Sequence, residues 1–331
     1  MPFWEKTQPS SWESTFMPLE LLNISADRLS QLPKEKTVFF FPVSALEDHG
    51  PHLPLGLKLF EARKLCELAA TRLERELPDW TGVIMPDAPL GVDTVTTATA
   101  LPVRAHVLRD WLLDCSRGLM RHGFVHFACF SGHLCPRQLT AIEEAGKMLL
   151  RGRAWLPSSL SKRAKRARRG HTRATLVSAC SALVSAREVR RSPLWADPPE
   201  HGGAGDTGIG LYLSPAAVAS SFVELSAKQQ TGSYWRRGLL RSRRKLGGYW
   251  GIPADAEASE GQKHLENKMN DIFPKLRATW EGSNPNHLFR SWYSVIPPNK
   301  GFFKIWVLAF VLIAILWIWT FFAIEGLITT V

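Results

Sequence analysis

The first 283 residues predict an α/β fold with a mainly parallel sheet, and a single membrane-spanning helix is predicted near the C-terminus. Three observations carry this reading. Short, continuous apolar runs are rich in strand formers, helically spaced stretches alternate with them, and one run, IWVLAFVLIAILWIWTFFAI at 305–324, holds no charge.

The elements follow in order. TVFFFPV at 37–43 is a continuous apolar run, as in a strand covered on both faces. Residues 59–77 space Leu and Ala helically with charges opposite, and VIMP at 83–86 reads as a brief strand. Residues 108–122 read as a helix, FVHFACF at 124–130 as a strand and 139–151 as a helix. The apolar stretch 174–184 reads as either a strand or a helix. Strands alternating with helices of this length imply parallel pairing with helical crossovers. The α/β domain is placed at 1–283 with a basic, low-complexity insert at about 151–173. A Pro- and Asn-rich linker at 284–301, a transmembrane helix at 302–324 and a short tail at 325–331 complete the chain.

At ~1.5 Å per residue, the uncharged run is long enough for the ~30 Å hydrocarbon core of a bilayer. A buried core helix is the competing reading, but such a helix rarely stays apolar on every face. Arg290, Lys300 and Lys304 precede the run and only Glu325 follows it. Positive residues stay on the cytoplasmic side, so a single-pass protein with a cytoplasmic N-terminal domain is expected. MPFWEKTQPSSWES lacks a basic start followed by an apolar run, so no secretory leader is expected. The five cysteines form no CxxC pair, in keeping with a reducing compartment.

The net charge of +11 is localised. Nine Lys/Arg and no acid lie between Arg151 and Arg173, and six and no acid between Trp235 and Lys245, so the rest of the chain is mildly acidic. On a tethered domain such clusters suit anionic lipid headgroups. Solvated basic loops are the plainer alternative. Nucleic acid is disfavoured as a partner because no recognition motif accompanies the charge.

The chemistry gathers in three loops. SALEDHGPHLPLGLK at 44–58 follows the first strand and carries Glu47, His49 and His52, and it closes on Lys58. Carboxylate and imidazole suit zinc, manganese or iron. His133 heads a second loop after the 124–130 strand, and EHGGAGDTG at 200–208 adds His201 and Asp206. Each histidine taken singly is an ordinary polar loop residue, but three His/acid loops form a set. Open α/β sheets bind ligands beyond the C-terminal strand ends, so loops 47–58 and 131–137 are expected to converge.

The run FPVSALEDHGPHLPLG at 41–56 resembles the opening metal loop of the creatininase family. Phe130-Ser131-Gly132-His133 resembles that family's Asn-Gly-His motif. His201-Gly202-Gly203-Ala204-Gly205-Asp206-Thr207-Gly208 resembles its His-Ala-Gly-x-x-Glu-Thr-Ser motif. GYWGIP at 248–253 and ASEG at 258–261 are similar to its closing segment before the last helix. The similarity covers roughly 35–275. It implies a creatininase-like three-layer sandwich, a metal-dependent amidohydrolase acting on a non-peptide or cyclic C–N amide bond of a small molecule, and a homo-oligomer. It also implies Glu47, His49 and His133 as metal ligands, with Asp206 as a further ligand and His201 as an acid/base or substrate contact.

The departures bear on activity. Lys58 stands where the family has an Asp bridging two metal ions. Cys135 stands where creatininase has a ligand Glu, and a buried structural thiol competes with a ligand role for it. Gly91-Val92-Asp93-Thr94 replaces a Ser-x-Glu-His segment. At ~4 Å and an effective dielectric near 20, each unit-charge pair is worth about 4 kcal/mol, so an inward ammonium opposes a second dication. Lys58 then pairs with Glu47 or Asp206, and the site holds one ion at most. A non-catalytic scaffold binding a ligand or partner at the membrane face, with no metal, is the alternative. A Lys58-dependent activity is a third reading.

Overall fold

A computed structural model describes residues 18–94, 100–151, 175–179, 200–228, 247–283 and 300–328. Its centre is a five-stranded, all-parallel sheet: β1 (Leu19–Glu20), β2 (Thr37–Pro42), β3 (Thr81–Ile84), β4 (His126–Phe130) and β5 (Thr175–Ser178), in the order β1-β3-β2-β4-β5. The helices are α1 (Ala26–Gln31), α2 (Leu57–Glu76), α3 (Ala105–Arg121), α4 (Pro136–Arg151), α5 (Ala204–Leu213), α6 (Ala258–Trp280) and α7 (Lys300–Ile328).

Every residue of β2 is buried, because successive side chains enter opposite layers. Val38 and Phe40 join Ala128, Phe130 and Val177 against α2, α5 and α6. Phe39 and Phe41 join Phe127, Cys129 and Leu176 against α3 and α4. Three layers result, as the resemblance implies. Each fully buried Phe or Leu contributes about 1.5–3 kcal/mol. Phe39, Phe40, Phe41 and Phe130 are wholly buried, so this sheet is the main apolar anchor of the domain.

The register shows where a site belongs. The chain runs from β2 through α2 to β3 on one side, then through α3 to β4 on the other side of β2. Strand order therefore reverses between β2 and β4, whose partners run from Val38–His126 to Pro42–Phe130. The crevice beyond such a switch point is the usual ligand position in open parallel sheets.

Several boundaries move. Helix α2 starts at Leu57, so Lys58 is in a helical first turn rather than a loop. The ambiguous 174–184 stretch contains a strand. The glycine-rich turn at 200–208 passes into α5 at Ala204. The Glu200 carboxylate accepts the Gly205 N–H at 2.6 Å and supplies the partner that a helix start needs.

The basic clusters, apart from Arg151 at the end of α4, lie outside the described residues, as do Cys180 and the linker up to residue 299. Helix α7 covers the uncharged run, and its side chains are described over 308–322. There Leu308, Phe310, Trp317, Trp319 and Phe322 are exposed. Among the described residues no helix is long and apolar enough to cross a membrane.

Candidate metal centre

The loops after β2 and β4 meet as expected. Glu47 Oε2 lies 2.9 Å from His133 Nδ1, and the His133 N–H donates to Ser44 Oγ at 3.1 Å. The third loop closes over them. His201 exchanges backbone hydrogen bonds with Trp250, at 2.9 and 2.8 Å. Its ring lies between those of His49 (4.1 Å, 22°) and Trp250 (4.6 Å, 20°). Gly202 permits this approach: its φ is +62°, and a Cβ there would strike the His49 carbonyl oxygen.

Glu47, His49 and His201 each bring a ligand atom within 4.8 Å of the others. Both imidazoles are oriented by backbone carbonyls. His49 Nδ1 faces Glu47 O at 3.1 Å, and His201 Nε2 faces Asp48 O at 2.8 Å. A carbonyl accepts only, so the opposite ring nitrogen carries the lone pair in each neutral ring. His49 Nε2 is buried with no hydrogen-bond partner among the described residues, at 4.0 Å from Glu47 Oε2 and 3.9 Å from Asp206 Oδ2. A buried lone pair beside carboxylates, with each ring fixed by an outer carbonyl, suits a divalent cation. Burial, then His49, lowers His201 to about 4, so it is neutral near pH 7 as a ligand must be.

His133 is arranged differently. Its Nδ1 faces Glu47 and its Nε2 faces Val92 O at 3.0 Å, so both nitrogens face acceptors. Burial opposes its charge, yet Cys135 and Glu47 beside it raise its pKa well above the usual range. Burial likewise raises Glu47, but His133 outweighs it and holds the carboxyl well below its ordinary value. In this arrangement His133 is a charge partner of Glu47 and offers no lone pair. The group whose ligand atoms converge is thus Glu47, His49 and His201, with His133, expected as a ligand, directly beside it against Glu47. Cys135 Sγ donates to Val92 O at 2.9 Å, and the Gln138 N–H reaches it at 3.4 Å, outside the trio. His52 is buried and bonded through Nε2 to Thr207 Oγ1 at 2.8 Å, a structural tie between the first loop and α5.

Lys58 points inward. Its Nζ lies 2.6 Å from Asp206 Oδ1 and 2.9 Å from Glu61 Oε2. Of the two expected partners it takes Asp206 and not Glu47, because the first turn of α2 faces the start of α5. Glu61 was not anticipated, although it sits three residues on, the ordinary spacing of a helical ion pair. Lys268 on α6 pairs with its other oxygen. Burial pushes Lys58 down, but Asp206 and Glu61 raise it above its ordinary value. Burial raises both carboxyls, but Lys58 holds Asp206 far down, and Lys268 with Lys58 brings Glu61 to about 2. Asp206 Oδ2 accepts the Gly202 N–H at 2.8 Å, so the expected ligand Asp206 is already engaged on both oxygens.

A family model described as creatininase, creatinine amidohydrolase, matches residues 23–275. Among solved structures, one described as "Creatininase Mn" and another described as a mutant creatininase of Zn-Zn type each give a TM-score of 0.60 at 17% identity. Both matches cover 80% of this chain and 99% of that chain. A putative creatinine amidohydrolase from Bacteroides fragilis NCTC 9343 gives 0.54 at 14% identity, covering 81% and 99%. Among curated proteins none matches. The structural likenesses bear out the three-layer α/β fold, and the family model spans most of the domain that holds the site. The chain belongs to the creatininase family.

Proposed function

We propose that this protein is a metal-dependent amidohydrolase of a small molecule, cleaving a non-peptide or cyclic C–N amide bond. One divalent ion, manganese, zinc or iron, is held by Glu47, His49 and His201. The observation that carries the reading is the buried His49 Nε2, without a hydrogen-bond partner among the described residues, facing Glu47 Oε2 beside the His201 ring. A divalent cation there supplies Lewis-acid polarisation of a carbonyl and lowers the pKa of water. Glu47 and the two rings bind, Trp250 holds His201 in place, and His133 fixes the Glu47 carboxylate. Burial excludes bulk water and strengthens each of these contacts.

The test is release of amine from a panel of cyclic and acyclic small amides by metal-loaded protein. Hydrolysis lost in Glu47→Ala and in chelator-treated protein supports the reading. Turnover of no amide by metal-loaded protein contradicts it.

A second reading, a scaffold without catalysis, is favoured by one observation. Lys58, Asp206, Glu61 and Lys268 satisfy one another without any ligand.

The same proposal places the domain on the cytoplasmic face of a membrane, tethered by α7, with the basic clusters toward anionic lipid. The uncharged run and its exposed Leu, Phe and Trp side chains support this, since such a surface requires an apolar cover. Sedimentation with membranes through an alkaline carbonate wash, lost on truncation before residue 302, is expected. A full chain that the wash releases contradicts it. Cross-linking tests the expected homo-oligomer.

A further inference from the structure

The inner end of the site is built around an ammonium. Lys58 Nζ lies between Asp206 Oδ1 and Glu61 Oε2, at 2.6 and 2.9 Å, and its side chain is 12% exposed. The backbone of the turn that carries it is closely packed. A Cβ on Gly132 would collide with the Lys58 carbonyl oxygen, so the His133 loop presses directly on α2 at this residue. Lys268, from α6, closes the second oxygen of Glu61. Asp206 turns its other oxygen to the Gly202 N–H and toward His49 Nε2, 3.9 Å away. Lys58 therefore fixes Asp206, and Asp206 fixes the residue that follows His201.

We propose that Lys58 is a resident cation of this centre, filling the place between Asp206 and Glu61 that a second divalent ion would take, and positioning Asp206 toward His49. The proposal deepens the one-ion reading and rests on it for the first ion only. Three carboxylates, Glu47, Asp206 and Glu61, stand against two ammonium groups, Lys58 and Lys268. Glu47 is already met by His133, so Asp206 and Glu61 balance the two ammonium groups and leave no negative charge for a second dication. With Lys58 removed, two buried carboxylate oxygens face a cavity where their ammonium was. Carboxylate oxygens are donors that manganese takes readily and that zinc also accepts. Lys58 is a positioning residue, since it touches neither the trio nor the reacting atoms.

The test counts ions on the full-length chain, purified in detergent, stripped with chelator and reloaded separately with Mn²⁺ or Zn²⁺. Wild type is expected to hold one ion per chain, Lys58→Arg one, and Lys58→Met two. That twofold rise comes with a melting temperature that Mn²⁺ raises more than it raises wild type. The double variant Lys58→Met/Asp206→Asn leaves no new unpaired charge at Asp206 and is expected to return to one ion. It keeps the test open if Lys58→Met does not fold. Two ions in wild type, no gain in folded Lys58→Met, or two ions in the double variant would overturn the proposal. A wild type with none and a Lys58→Met with one would sustain the role of Lys58 while removing the first-ion reading.

Discussion

Two halves of one site, within a few ångströms of each other, handle burial in opposite ways. The outer half, Glu47, His49 and His201, buries a lone pair on His49 that no donor among the described residues meets. The inner half, Lys58, Asp206, Glu61 and Lys268, neutralises each buried carboxylate with an ammonium. A buried polar atom without a partner is costly, so the outer half is arranged for a ligand. Paired buried ions cost desolvation but leave nothing further to bind. Having a cluster of acids and histidines therefore does not by itself define a metal site; what matters is which atoms remain uncommitted.

The largest effect should follow from breaking the inner half. Lys58→Ala leaves Asp206 without its ammonium, and a loss of about 3–5 kcal/mol in urea unfolding is expected. Lys36→Ala, which removes an exposed pair with Asp79, should cost ~0–1 kcal/mol. Equal losses would mean that burial is not what sets the inner half apart.

Gly202→Ala attacks the outer half through the backbone. A side chain at φ +62° that meets the His49 carbonyl should cost about 1–3 kcal/mol and disengage His201 from His49. Thermal melting and metal uptake should fall together.

A pH series separates the two histidines next, in chelator-stripped protein. His201 has a folded pKa of about 4, below its unfolded value, so the unfolded chain binds the extra proton. Stability should drop as pH falls from ~6.5 toward 4, and His201→Gln should flatten that drop. His133 is shifted upward, so its contribution is complete below ~6.5 and is lost as pH rises through its folded value. His133→Gln should remove that alkaline loss and leave the acid one. Asp206, held down by Lys58, contributes above its unfolded ~3.9 and is lost only in stronger acid. Within the site, Trp250→Leu removes the ring over His201 and should cost ~0.5–1.5 kcal/mol beyond lost burial.

The sheet was legible because β2 and β4 are local apolar runs, and a parallel strand buried on both faces must read that way. The switch-point site was legible for the same reason, since His49 and His133 follow those strands directly. Helix α5 was not, because its opening His-Gly-Gly-Ala-Gly has turn composition and its start depends on Glu200. The convergence of His201 on Glu47 and His49 was hidden because it turns on ring direction. His133 spends both nitrogens on Glu47 and Val92, which spacing does not encode. Lys58 was recognised as inward-capable, but Lys268 lies 207 residues beyond Glu61, and only the packing of α6 on α2 joins them.

Elemental analysis of the reloaded full-length protein, beside His49→Ala and Glu47→Ala, tests the central claim most directly. One divalent ion per chain in wild type, and none in either variant, is the predicted result. A wild type that takes up no manganese or zinc, or variants that keep the ion, would contradict it.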